Sequence, residues 1–131
     1  MAIHVSSNSK GFTLIEFLVA IVILMVGLLG LLQTVNYAIV HNMGNQLRQE
    51  ALMLADERMN TEKARSYDMI DVVQRSFSTS RMVNGAFRSY SVSQSVTEPT
   101  SRTKQIELQI IWHYKGERYT HSVLSLISEF E

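Results

Sequence analysis

The hydrophobic and polar positions divide the chain into three regimes. From Phe12 to Leu32 nearly every position is apolar on all sides, with Glu16 as its one ionisable residue. At about 1.5 Å per residue such a segment makes a helix of roughly 31 Å, the thickness of a bilayer's hydrocarbon core. A soluble chain this short has too little surrounding mass to cover an all-round apolar helix. From Gln33 to about Arg65 no proline intervenes, and Leu47, Ala51, Leu54 and Arg58 recur at helical spacing with Ala55 and Met59 beside them. That face is amphipathic, with Arg48, Gln49, Asp56, Glu57 and Lys63 on the opposite, solvated side. Its charges, including Glu50 and a Glu62 near Arg58, read as surface decoration. The helical pattern therefore runs from Phe12 to about Arg65, roughly 80 Å.

Beyond it the period changes to two. Residues 66–85 read as a connection with a short helical turn around Met69 to Gln74, closed by the Asn84-Gly85 turn signal. "AFRSYSVSQSV" alternates, with Tyr90, Val92, Gln94 and Val96 on one side. Ile106, Leu108, Ile110, Trp112 and Tyr114 likewise share a face. Gly116 marks a hairpin turn whose register has two solutions. A two-residue loop at Lys115-Gly116 sends Tyr119, His121, Val123 and Ile127 to the core, and a loop one residue longer sends Leu124 and Leu126. The expected fold is α+β: a long N-terminal helix with three or four antiparallel strands, within 86–131, packed on its second half.

Composition changes this picture little. The formal net charge is zero, so nothing points to nucleic acid as a partner. With no cysteine there is neither a disulfide nor a thiolate metal site. His113 and His121 could approach across the hairpin, near Glu107 or Glu117, but their spacing matches no standard ligand pattern and no metal or cofactor is expected. No nucleophile elbow, P-loop or zinc motif is present, and no enzymatic activity is expected.

Glu16 demands a reason. A carboxylate at the centre of a membrane helix costs about 2.5–3.5 kcal/mol on insertion scales, somewhat less near an interface. No Lys, Arg or His within the apolar block can pair with it. A partner must come from another chain or from a newly exposed terminus. The leader, residues 1–11, carries one cation, Lys10, and no acid, which favours a cytoplasmic N-terminus. The apolar run is too long for an ordinary secretory signal and ends in no A-x-A-like site.

"KGFTLIE", Lys10 to Glu16, resembles the processing site of type IV pilins and of the pseudopilins of type II secretion. The resemblance implies cleavage by an aspartyl prepilin peptidase between Gly11 and Phe12, N-methylation of Phe12, and an assembly role for Glu16 as the fifth mature residue. It further implies a leader over 1–11, a transmembrane and filament-core helix over 12–32, the second half of the helix over 33–65, a connecting loop over 66–85 and a sheet over 86–131. Implied partners are the prepilin peptidase, other major and minor pilins or pseudopilins, an inner-membrane assembly platform, and the lipid bilayer before assembly. The implied location is the bacterial inner membrane, spanned once, and then a pilus or a periplasmic pseudopilus.

More loosely, "VGLLGLLQTVNYAIVHN" and "ALMLADERMN" look like PilV-type minor pilins and minor pseudopilins. No proline occurs between Phe12 and Glu98 and no cysteine is available to close a C-terminal loop, both departures from many major pilins. The expectation is a minor type IV pilin, with a minor pseudopilin as the near alternative. A non-polymerising membrane anchor with a periplasmic binding domain is the distant one.

Overall fold

The computed structural model describes residue 11 and residues 13–130. The element order is a helix α1 (Leu14–Lys63), a short 3-10 turn (Tyr67–Met69), and strands β1 (Gln74–Val83), β2 (Ala86–Thr100), β3 (Thr103–Tyr114) and β4 (Glu117–Ser128). The chain separates into two compact units, one ending at Val40 and the other running from His41 to the C-terminus. In the first unit α1 is apolar and exposed, and no residue of its most hydrophobic window is buried. An unburied helix of this composition and length fits a membrane span and not the core of a soluble fold.

The second unit holds the core. Leu47, Ala51, Leu54, Ala55 and Met59 supply the buried face of α1, and the sheet answers with Tyr90, Val92, Val96, Ile106, Leu108, Ile110 and Trp112. Ile106, Leu108 and Ile110 are fully buried, each contributing about 1.5–3 kcal/mol of apolar transfer. The two alanines on α1 present little side chain, which lets large strand residues seat against the helix backbone. The helix ends where Arg65 N–H bonds to the Glu62 carbonyl in a tightened last turn and Ser66 turns extended.

The sheet is a simple antiparallel meander in the order β1-β2-β3-β4. Both outer hairpins are two-residue turns with positive φ at both positions, 50° at Asn84 and 77° at Gly85, then 51° at Lys115 and 79° at Gly116. This is the type I′ geometry that matches strand twist. The tight second turn selects the first of the two registers. Tyr119 pairs with Trp112, His121 with Ile110, Val123 with Leu108 and Ile127 with Lys104, all on the helix side. Between β2 and β3 the register shifts between Thr97 and Thr100, around Pro99, which has no N–H to offer a ladder.

Three expectations are corrected. Residues 66–85 are not all connection, because β1 occupies Gln74–Val83. Its helix-side positions Phe77, Thr79, Arg81 and Val83 alternate with serines and Met82, too polar a pattern to read as a buried strand. The short helical turn sits at Tyr67–Met69, earlier than expected. The charges of α1 are also more than decoration. Arg81 of β1 donates to the Glu57 carboxylate and lies 3.8 Å from that of Glu50, while Arg58 stands 4.5 Å over the Phe77 ring. These contacts tie β1 to the helix, and β1 is the edge strand that needs tying.

Candidate functional site

The start of α1 is built by local chemistry. Thr13 is the N-cap residue: its hydroxyl accepts the Glu16 N–H at 3.3 Å, and the Glu16 carboxylate accepts the Thr13 N–H at 3.3 Å. The Phe17 N–H closes the first helical turn on the Thr13 carbonyl at 3.2 Å. This is a reciprocal capping box, in which two N–H groups without helical partners are satisfied by one Thr and one Glu three residues apart. A carboxylate in the first turn also meets the positive end of the helix dipole. The sequence reading found Glu16 and missed the cap, although Thr-Leu-Ile-Glu carries the T-x-x-E signature directly ahead of an apolar run.

Glu16 borders a shallow open groove formed with Ile15, Val19, Ala20 and Ile23. Ala20 is the low point, and the longer neighbours stand proud of it, Ile15 at 70% exposure and Ile23 at 67%. A notch of this kind on a helix receives a side chain from another helix. The site thus places a carboxylate beside an open apolar groove that nothing among the described residues covers.

Gly11 is exposed, and a Cβ built there meets nothing within 4 Å. Among the described residues, then, no close contact calls for glycine at this position. The same holds at Gly27 and Gly30; in this stretch the Thr34 hydroxyl donates back to the Gly30 carbonyl at 3.0 Å. Lys10 and Phe12 lie outside the described residues. His113 and His121 do not converge. His121 pairs with Ile110 on the helix side, whereas His113 pairs with Arg118 on the opposite face. Among the described residues no three His, Asp or Glu side chains come together.

Sequence reasoning also missed a second set of anchors. Lys104 is buried in β3, and its ammonium donates to the Tyr67 and Ile70 carbonyls, each at 2.8 Å, while lying 4.3 Å over the Tyr67 ring. It closes the turn after α1 onto the sheet. At the other end, the Tyr90 hydroxyl donates to the Leu47 carbonyl at 2.9 Å, and burial pushes its phenol up to about 12. Trp112 stacks on Tyr119 at 5.8 Å. The signal for Lys104 was a cation at an inward position of an alternating strand.

Among the described residues, one exposed apolar helix opened by a capping box and continuing into an α+β unit is long and apolar enough to cross a membrane. Residues 6–32 match the family model of the prokaryotic N-terminal methylation motif. The match supports a type IV pilin-like family, of the kind processed by prepilin peptidase, whose members are structural subunits. The apolar helix near the N-terminus fits membrane anchoring before assembly. No curated protein and no solved structure matches the chain.

Proposed function

We propose that the chain is a minor type IV pilin. It is made as a membrane-anchored precursor, cut between Gly11 and Phe12, methylated on Phe12, and packed through its N-terminal helix into a filament or an initiating complex. The single observation that carries this reading is the methylation motif joined to an unburied apolar helix that begins at Glu16's capping box. Cleavage leaves an ammonium on Phe12, one residue ahead of the Thr13 N–H that Glu16 already accepts.

Magnitudes favour a further partner for Glu16. The cap contributes about 1 kcal/mol, less than the roughly 2.5–3.5 kcal/mol for a carboxylate deep in lipid. A carboxylate has room for several hydrogen bonds, and the new ammonium, from the same or a neighbouring subunit, supplies the missing charge. Once helices bundle away from water, removing one member of such a pair is costly. Gly11, which meets no close contact among the described residues, is left to the peptidase, where a residue without a side chain lets the backbone enter a cleft. The place of a minor subunit is supported by the absence of proline from Phe12 to Glu98 and of cysteine from the whole chain.

The test is intact mass with N-terminal sequencing of the protein from membranes and from sheared surface filaments. A chain beginning at methylated Phe12 in the filament fraction supports the proposal. The same chain confined to membranes favours an initiating complex or a type II secretion pseudopilus. An intact Met1 terminus in cells with active prepilin peptidase overturns the reading and leaves a plain membrane anchor.

A further inference from the structure

The sheet has two open edges, and their main-chain directions follow from the hairpins. In a two-residue turn the flanking residues exchange both hydrogen bonds. Glu117 therefore spends its main chain on Tyr114, and the odd-numbered residues of β4 do the same along β3. The ladder continues to Glu129, whose N–H bonds to the Arg102 carbonyl at 2.9 Å. The even-numbered residues, Ser122, Leu124, Leu126 and Ser128 among them, turn N–H and C=O away from the sheet. By the same count β1 turns Ser76, Ser78, Ser80 and Met82 outward, since Val83 pairs with Ala86.

The stretches of each edge between the flanking charges, Arg75 and Arg81 on β1 and Arg118 on β4, carry no block of their own. Sheet edges are ordinarily blunted by charge, proline or a bulge. Tyr119 to Ser128 contains no Asp, Glu, Lys, Arg or Pro and pairs with β3 in unbroken register. Leu124 and Leu126 stand 55% and 59% exposed. On β1, Ser76 to Ser80 is likewise free of charge and proline.

We infer that β4 of one copy adds to β1 of a second copy of this chain, joining the two sheets side by side. Strands alternate in direction across a four-stranded meander, so β1 and β4 are antiparallel. Two copies facing the same way can therefore pair these edges in the antiparallel sense. Pairing β4 with β4 about a two-fold axis would leave the outward main chain of β1 unpaired in both copies.

One register satisfies both faces. With Thr79 opposite Ser125 of the neighbouring copy, Phe77 meets Ile127 beside the core and Arg75 meets Glu129. On the outer face Ser78 and Ser80 leave space for Leu126 and Leu124. About eight main-chain hydrogen bonds form between outward-facing residues. Arg75 is available to such a partner, because its present bond to Asp71 at 3.0 Å lies at the surface with both side chains more than half exposed.

The test uses the absence of cysteine. Within one copy Thr79 lies in the row of Tyr119, so Ser125 is three strands across and a further run of β4 along, about 24 Å away by strand spacing and rise and beyond the roughly 7 Å Cα limit for a disulfide. The full-length double variant Thr79→Cys/Ser125→Cys, in membranes with a mild oxidant, is expected to give a ladder of covalent dimers and higher species, and either single variant none. Adding Leu124→Pro, which removes an outward N–H and no bond to β3, is expected to abolish the ladder. No ladder from a double variant whose Trp112 fluorescence matches the parent overturns the pairing. Dimers from Ser125→Cys alone, stopping at dimers, overturn it in favour of a two-fold edge. The N-terminal mass is read on the same samples: a ladder on uncut chains sinks the pilin reading and keeps the edge pairing, and cut chains without a ladder do the reverse.

Discussion

Replacing Glu16 by Gln or by Ala separates the two duties of this side chain. Gln at the third helical position still accepts the Thr13 N–H, so Glu16→Gln keeps the capping box and discards the charge. Ala discards both. If the charge pairs with the Phe12 ammonium, both variants lose filament incorporation, and Glu16→Ala also weakens the start of the helix by about 1 kcal/mol. Incorporation that survives Glu16→Gln and fails in Glu16→Ala would make the cap the working part; quantitative blotting of sheared filaments, with helicity measured in detergent, distinguishes the two. Lys104 offers a test in the head. Lys104→Met keeps the stem but strands the Tyr67 and Ile70 carbonyls it now serves. Leaving buried acceptors unpaired costs about 1–3 kcal/mol each, so denaturant unfolding is expected to shift by about 3 kcal/mol. Glu16 stood out in the sequence because an acid in an apolar run is conspicuous. Lys104 did not, because only the fold shows which carbonyls wait for it.

At the scale of elements, the joints between α1 and the sheet set the pH range of the head. The Arg81 guanidinium, by its hydrogen bond and then its charge, holds the Glu57 carboxyl below its ordinary value of 4.5. A carboxyl lowered by folding contributes stability that is present above its unfolded value and is lost as pH falls through the folded one. Acid unfolding of Arg81→Gln should therefore depend less on pH below about 4.5 than that of the parent, and identical acid limbs would show the pair to be idle. At the alkaline end the sign reverses. Burial raises the Tyr90 phenol from 10.0 to about 12, so its contribution is complete below pH 10 and lost as pH rises from there through 12. Tyr90→Phe is expected to cost about 1 kcal/mol at neutral pH by removing the bond to Leu47 and to flatten that alkaline loss, as seen in Trp112 fluorescence. Long periodic elements were legible: the helix and β3 declare themselves by apolar spacing. β1 was not, since serines fill its outer positions and Arg81 and Thr79 take inner ones, so its place depends on partners far along the chain. The hairpin register followed from turn length alone, once the turn was known.

At the scale of the whole molecule, two environments divide the work. The core consists of residues between Leu47 and Trp112, and none of the most apolar window of α1 is buried. The buried core cluster is drawn from residues of the second unit, so a fragment of residues 41–131 is expected to fold and unfold cooperatively by itself. The corresponding perturbation is Leu108→Ala. Leu108 is fully buried, and truncating such a residue costs about 2–5 kcal/mol, a large part of the total stability of a head this size. In the full-length chain reconstituted in bilayers, the variant should lower the unfolding midpoint of the head while the helical signal of the apolar segment persists. That segment's hydrogen bonds are internal and its solvent is lipid, so it has no unfolded alternative at moderate denaturant. Simultaneous loss of both signals would mean that the units stabilise one another. Independent loss means that the proposed assembly through the N-terminal helix and the proposed pairing of sheet edges can be altered separately, one by substitutions around Glu16 and Ala20, the other along β1 and β4.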